Sequence, residues 1–219
     1  MVLLIIADDF TGALDTGVQF AARGIKTRVV VGADAALTHR NADVLVVDTE
    51  TRHLPAAKAY EAVERLVRRA GHAGFTYLYK KTDSALRGNV GAELAALLNA
   101  SGSRQLAFLP AFPQMNRVTK NGVQYIDGVP VTESPFGVDP FEPVRHAAVT
   151  DLLAEQLRAM QGESARTTSA TLRDFSAVLA ENQRQSAANS TARLEAIDRA
   201  GAARQRAAND ALLAQLTMM

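Results

Sequence analysis

Short apolar runs alternate with amphipathic segments through the first half of this chain, and this alternation restricts the possible folds more than any other feature. The first run is apolar throughout, as expected of a strand covered on both faces. The pattern predicts strands at Val2–Ala7, Thr27–Val31, Val44–Asp48, Tyr77–Lys80 and Leu106–Leu109. It predicts helices at Gly12–Arg23, Pro55–Ala70 and Gly91–Asn99. Such repeated units indicate an α/β, Rossmann-like fold: a doubly wound, mostly parallel sheet with helices on both faces.

The second half of the chain changes character twice. Residues 110–143 are rich in Pro and Gly, and Asp127-Gly128 between Gly122–Ile126 and Val129–Thr132 is a strong hairpin signal. A helix is predicted from Pro143 to about Met160. Residues 161–219 are rich in Ala, Gln and Arg, with a thin apolar stripe at helical spacing. We therefore predict an α/β domain over 1–160 and a helical tail over 161–219, with partial disorder as the alternative for the tail.

Composition excludes several classes of function. Among 219 residues, 24 Lys and Arg balance 23 Asp and Glu, so no basic excess supports nucleic-acid binding. The absence of Cys excludes disulfides and thiolate metal sites, and the four His show no ligand spacing, so no metal site is predicted. The apolar start is too short for a transmembrane helix and lacks a basic flank. A cytoplasmic protein without a membrane partner is therefore expected.

An acidic pair, Asp8 and Asp9, ends the first predicted strand and leads directly into a helix. Thr11 is able to cap that helix, and Gly12 permits close approach of a ligand. One interpretation is that the two acids accept hydrogen bonds from ligand hydroxyls, or that one of them acts as a base. The alternative is that one Asp caps the helix and the other is solvated.

Two further loops follow strands at the same expected edge of the sheet, which is where ligands bind in open α/β folds. The second loop carries the cations Lys80, Lys81 and Arg87, with Asp83 and Ser84 as partners for hydroxyls. Lys81 and Arg87 suit a carboxylate, since Arg offers a two-pronged grip. The third loop adds Arg117, either as an anion contact or as a solvated side chain. After the third strand, Asp48, Thr49 and Arg52 are predicted to border the same edge.

Three stretches of the chain resemble the amino-terminal domain of the four-carbon acid sugar kinase family. They are IIADDFTGALDTG, YKKTDSALRGNVGAEL and LPAFPQMNRVTKNGVQYIDGVPVTESPFGVDPFEPV, and the resemblance runs to about residue 157. It implies a substrate-binding half of an ATP- and Mg²⁺-dependent enzyme that phosphorylates threonate, erythronate or related acids. It implies that Asp8 and Asp9 are catalytic. The implied substrate-binding residues are Thr11, Gly12, Lys81, Asp83, Ser84, Arg87 and Arg117.

The resemblance leaves the nucleotide unexplained, because the chain contains neither GxxxxGK[ST] nor GxGxxG. One hypothesis is a kinase whose nucleotide domain belongs to a separate chain. A second is a regulatory or binding module that keeps the sugar-acid pocket without catalysis and assembles through its tail. A third is an interaction protein built on the tail, with a homo-oligomer as its product.

Overall fold

The computed structural model describes residues 2–38, 41–140 and 142–162 of the chain, and every structural statement below concerns these residues. Seven strands are present: β1 Leu3–Ala7, β2 Thr27–Val31, β3 Val44–Asp48, β4 Tyr77–Lys81, β5 Arg117–Lys120, β6 Val123–Ile126 and β7 Val129–Pro130. The helices are α1 Phe10–Ala21, α2 Ala56–His72, α3 Val90–Ser101 and α4, which covers residues 149–162. The predicted tail from residue 163 onward lies outside the described residues.

The first four strands form one parallel sheet in the order β2-β3-β1-β4, which confirms the predicted α/β class. In the register of the sheet, Ala7 at the end of β1 lies opposite Asp48 of β3 and Lys81 of β4. The carboxyl ends of three strands are therefore level, so the loops that follow them start from one edge.

Helices cover both faces of this sheet, as the apolar runs predict. On one face, Ile5, Ala7 and Val46 pack with Ala13 of α1. On the other face, alternate residues of β1 and β3 pack against α2 and α3, and Leu66 is among the fully buried side chains there. Burying one such leucine contributes on the order of 2 kcal/mol, so the two layers hold the strand ends in fixed positions.

The second, antiparallel sheet confirms the predicted hairpin and adds a strand to it. Asp127 and Gly128 both have positive φ, as the tight turn between β6 and β7 requires. A second turn at Asn121-Gly122, also with positive φ at both residues, joins β5 to β6. Asn-Gly is as strong a hairpin signal as Asp-Gly, so β5 was recognisable from the sequence.

Two predicted elements are wrong in whole or in part. The predicted strand Leu106–Leu109 is extended but unpaired among the described residues, and Leu109 is 83% exposed. Phe108 packs instead against the apolar cluster beside the hairpin, and Pro110 lacks a donor for a sheet ladder. Helix α4 begins at residue 149 rather than Pro143, because the backbone before it bonds to β6: Gln124 N donates to Ala147 O at 2.8 Å.

None of the helices within the described ranges is both long and apolar enough to cross a membrane.

Candidate functional site

The loop after β1 is organised by Asp9, which caps helix α1. Asp9 Oδ1 accepts a hydrogen bond from Gly12 N at 2.8 Å. The expectation that Thr11 caps this helix is therefore wrong, and Thr11 lies exposed in its first turn. The helix starts two residues earlier than predicted because an aspartate is at least as good a cap as a threonine. The alternative that one Asp caps the helix holds for Asp9, but Asp8 is buried rather than solvated.

Arg52 joins the two aspartates. Its Nε donates to Asp8 Oδ2 at 2.8 Å, and its Nη1 donates to Asp9 Oδ2 at 2.6 Å. Burial acts to lower the pKa of Arg52, but the hydrogen bond and charge of Asp8 outweigh it and raise the pKa above its usual value. Arg52 therefore stays charged while 8% exposed. The sequence placed it only at the border of the site, whereas the structure places it at the centre of the acidic pair.

Asp48 and Thr49 lie beneath this pair rather than in the opening. Both are buried, and Thr49 Oγ1 donates to Ala7 O at 2.8 Å, which ties the loop after β3 to β1. Burial raises the pKa of the Asp48 carboxyl, against a hydrogen bond from Glu50 N to Asp48 Oδ1 at 3.0 Å. The charges of Asp9 and Asp8 also raise it, so Asp48 is close to both aspartates.

The loop after β4 is built around a second ion pair. Asp83 is buried and accepts from Arg87 Nε at 2.7 Å and from Arg87 Nη2 at 3.2 Å. Burial acts to raise the pKa of Asp83, but the hydrogen bonds and charge of Arg87 outweigh it, and the pKa lies below its usual value. The pKa of Arg87 is raised in turn by the Asp83 hydrogen bond.

The hairpin sheet brings Arg117 to the same loop. Arg117 Nη1 donates to Ser84 Oγ at 2.9 Å and lies 3.9 Å from Asp83 Oδ1. The guanidinium carbons of Arg87 and Arg117 lie 5.0 and 5.1 Å from the centre of the Phe136 ring. This distance suits a cation–π contact, so one aromatic ring orients both cations. Phe136 was not predicted, because it follows no strand and carries no polar group.

The two adjacent lysines of β4 point in opposite directions, since successive side chains alternate across a strand. Lys80 Nζ pairs with Glu93 Oε2 of α3 at 2.6 Å, and both side chains are almost fully buried. Its place among the cations of the loop is therefore a correction: Lys80 belongs to the core. Lys81 Nζ faces α1 and donates to Thr82 O at 2.7 Å. A Cβ added at Gly12 would lie 3.2 Å from this ammonium group, so the loops after β1 and β4 touch here.

Burial lowers the pKa of Lys81, and the charges of Asp8, Asp83 and Asp9 oppose the lowering. These three carboxylates thus surround the ammonium group without pairing with it: among the described residues, Lys81 makes no ion pair. A buried cation in this state is ready for an anionic partner.

The two halves of the site form one unit. Asp83 is among the charges that raise the pKa of Arg52, and Asp9 is among those that raise the pKa of Arg87. The structure brings together eight of the nine predicted residues at one edge, and the ninth, Thr11, lies exposed beside them: Asp8, Asp9, Gly12, Lys81, Asp83, Ser84, Arg87 and Arg117. A cavity of about 330 Å³ adjoins this edge, and Arg52 and Arg87 line it together with Asn89, Arg145 and His146.

The described part of the chain fits neither a nucleotide nor a metal ion. No group of three or more His, Cys, Asp or Glu within it is placed to hold a metal. The start of α1 is occupied by the Asp9 carboxylate, which would repel a phosphate, and at the start of α3 Gly91 N donates to Gln156 Oε1 at 2.6 Å. These two helix starts therefore offer no phosphate cradle.

Comparison with known proteins gives the same family from sequence and from structure. The profile of the sugar-binding N-terminal domain family matches residues 3–216. The chain is 43% identical over 166 residues to a D-threonate kinase of Bordetella bronchiseptica, covering 73% of this chain and 41% of that protein. It is 33% identical over 163 residues to a D-erythronate kinase of Heliobacterium modesticaldum, covering 73% of this chain and 37% of that protein.

A solved structure from Bordetella bronchiseptica, described as a domain of unknown function with bound citrate and as a domain-swapped dimer, has the same fold. It superposes with a TM-score of 0.66 at 41% identity, over 70% of this chain and 40% of that one. The chain thus spans about two fifths of the length of the relatives it matches.

Proposed function

Because the chain belongs to the sugar-binding N-terminal domain family, we propose that it is the substrate-binding part of a four-carbon acid sugar kinase. Relatives named for threonate and erythronate support the substrate class. The related protein with bound citrate, a hydroxylated carboxylate, supports the kind of ligand. The observation that carries the proposal is the meeting of Arg and Lys side chains with carboxylates at one edge of the sheet.

The charges at this edge suit a small hydroxylated anion. Four cations, Arg52, Lys81, Arg87 and Arg117, stand against the acids Asp8, Asp9 and Asp83. Burial opposes a negative charge on the nearby Asp48 by raising its pKa. Lys81 and the arginines are suited to the carboxylate of the sugar acid, and the Asp8 or Asp9 oxygens and Ser84 to its hydroxyls.

The nucleotide belongs elsewhere in this proposal. ATP would supply the phosphoryl group, and the described residues do not fit it, so a nucleotide-binding domain outside this part of the chain completes the enzyme. The domain-swapped dimer of the relative supports assembly into a homo-oligomer, and a kinase that draws on ATP would work in the cytoplasm. A sugar-acid-binding module without catalysis is the alternative.

Lys81→Met tests the carboxylate contact. The change removes a cation that makes no ion pair among the described residues, so no partner charge is stranded, and folding should be retained. We expect affinity for D-threonate or D-erythronate, measured by titration calorimetry on the full chain, to fall about 10- to 100-fold. Lys58→Met is the matched control, because Lys58 lies exposed on α2 and pairs with Glu61.

Each outcome of this titration has a clear consequence. Absence of binding of either acid to the unmodified chain would remove the proposed function. Equal losses for both lysine variants would remove the assigned site. Binding without turnover, after a nucleotide-domain protein and ATP are added, would favour the non-catalytic module.

Gly12→Ala should separate binding from stability. An added Cβ would lie 2.6 Å from Asp9 Oδ1, so the helix cap must shift. The cap loses about 1 kcal/mol and alanine gains about 1 kcal/mol of helix propensity, so thermal stability should change little. Sugar-acid affinity should nevertheless fall several-fold.

Gly71→Ala is the control for this prediction, because it lies in α2 and its added Cβ would meet nothing within 4 Å. This variant should gain up to about 1 kcal/mol of stability at unchanged affinity. A Gly12→Ala variant that binds as tightly as the unmodified chain would contradict the close approach at this loop.

A further inference from the structure

The two aspartates of the site have different tasks, and this inference rests on the proposed function. We infer that Asp8, and not Asp9, supplies the carboxylate oxygen that accepts a hydrogen bond from a hydroxyl of the sugar acid. Arg52 is the positioning residue that presents this oxygen. The hydrogen-bond partners of the four carboxylate oxygens carry the inference.

Both oxygens of Asp9 are already in use. Oδ1 accepts from Gly12 N at 2.8 Å and caps α1, and Oδ2 accepts from Arg52 Nη1 at 2.6 Å. A ligand hydroxyl that took either oxygen would compete with the helix cap or with a charged hydrogen bond. Asp9 is therefore a structural residue that fixes the start of α1 beside the site.

Asp8 has one oxygen in use and one free. Oδ2 accepts from Arg52 Nε at 2.8 Å, whereas Oδ1 is buried and has no hydrogen-bond partner among the described residues. A buried carboxylate oxygen without a donor costs about 1–3 kcal/mol or more, so such an atom indicates a missing partner. A hydroxyl is the donor that the substrate class provides.

Arg52 sets the direction of the Asp8 carboxylate. Its planar guanidinium uses Nε for Asp8 and Nη1 for Asp9, so the two carboxylates are held in a fixed relation. The backbone around it is held from the loop after β4: Asn89 Nδ2 donates to Thr51 O at 3.0 Å and to Leu54 O at 2.8 Å. At Gly88, where φ is positive, an added Cβ would lie 3.0 Å from Arg52 Cγ.

Asp48 also has an unpartnered buried oxygen, Oδ2, and it provides the control. Its side chain is fully enclosed, so a ligand does not reach it, whereas Asp8 keeps 4% of its surface exposed. Asp48→Asn therefore makes the same chemical change at a neighbouring strand end without touching the ligand.

The experiment compares Asp8→Asn, Asp9→Asn and Asp48→Asn in the full chain, with D-threonate and D-erythronate as probes in titration calorimetry. Asn at position 8 turns an acceptor into a donor at one of its two atoms, and we expect an affinity loss of about 10- to 100-fold. Asn at position 9 still caps a helix, so Asp9→Asn should lose less than about threefold. Asp48→Asn should bind like the unmodified chain.

The outcomes separate this inference from the proposed function. If the unmodified chain binds neither acid, both fall together. If it binds and Asp9→Asn loses as much affinity as Asp8→Asn, or Asp48→Asn does, only the division of roles is overturned. Should Asp8→Asn fail to fold, ¹³C NMR of assigned carboxyl groups in the unmodified chain replaces it: the Asp8 resonance should shift on saturation with threonate while that of Asp9 stays in place. The reverse pattern would overturn the inference.

Discussion

Arg52→Met is expected to destabilise the protein by about 3–5 kcal/mol, because it leaves a buried carboxylate without its counter-charge. Asp8 and Arg52 are both nearly inaccessible to water, and their atoms are 2.8 Å apart. Asp9 adds less, since a quarter of its side chain is exposed. Equilibrium unfolding in urea measures the loss.

A second substitution should rescue the Arg52 variant. In Arg52→Met with Asp8→Asn, no buried charge remains on Asp8, so most of the lost stability should return. Arg68→Met serves as the control, because Arg68 lies exposed on α2 and pairs only with Glu64, and its loss should stay below about 1 kcal/mol. A loss of that small size in Arg52→Met would show that the bridge does not hold the edge together.

Lys80→Met should have a stability effect of similar size, about 3–5 kcal/mol, for the same physical reason at a different place. Lys80 Nζ lies 2.6 Å from Glu93 Oε2 with both side chains at most 2% exposed, and Glu93 Oε1 has no hydrogen-bond partner among the described residues. Removing the lysine strands an enclosed carboxylate between β4 and α3. Denaturant unfolding of the single variant gives the magnitude.

Combining Lys80→Met with Glu93→Leu should restore stability to within about 1 kcal/mol of the unmodified chain, or raise it, because apolar side chains of similar size fill the space without a desolvation cost. The exposed pair of Lys58 with Glu61 is the reference, and Lys58→Met should cost less than about 1 kcal/mol. If the losses of Lys80→Met and Glu93→Leu simply add, the two residues do not act as a pair. Lys81→Met should leave stability intact, so neighbouring lysines would give opposite results.

The parallel sheet, its flanking helices and the hairpin were all accessible from the sequence, because local patterns specify them. A run such as Val44–Asp48 is apolar throughout only where both faces of a strand are covered, and Asp127-Gly128 suits a turn that few other pairs adopt. The prediction failed at Leu106–Leu109, where a short apolar run reads the same whether it joins a sheet or packs as an extended loop.

Most of the site was predictable for a related reason: in a parallel sheet, polar residues that follow successive strands must arrive at one edge. Alternation along β4 also requires Lys80 and Lys81 to face opposite sides. It does not say which of them enters the core, because that depends on where Glu93 of α3 lies.

The pairing of charges at the edge depends on contacts between residues far apart in the chain. Arg52 reaches Asp8 across 44 positions, and Arg117 reaches Ser84 across 33. Phe136, which orients two arginines, has no local signal at all. Residue type and spacing therefore sufficed to bring cations and acids to a common edge, because backbone periodicity is a local property. Which cation neutralises which acid, and which carboxylate oxygen is left free, was set by the packing of helices and hairpin around that edge.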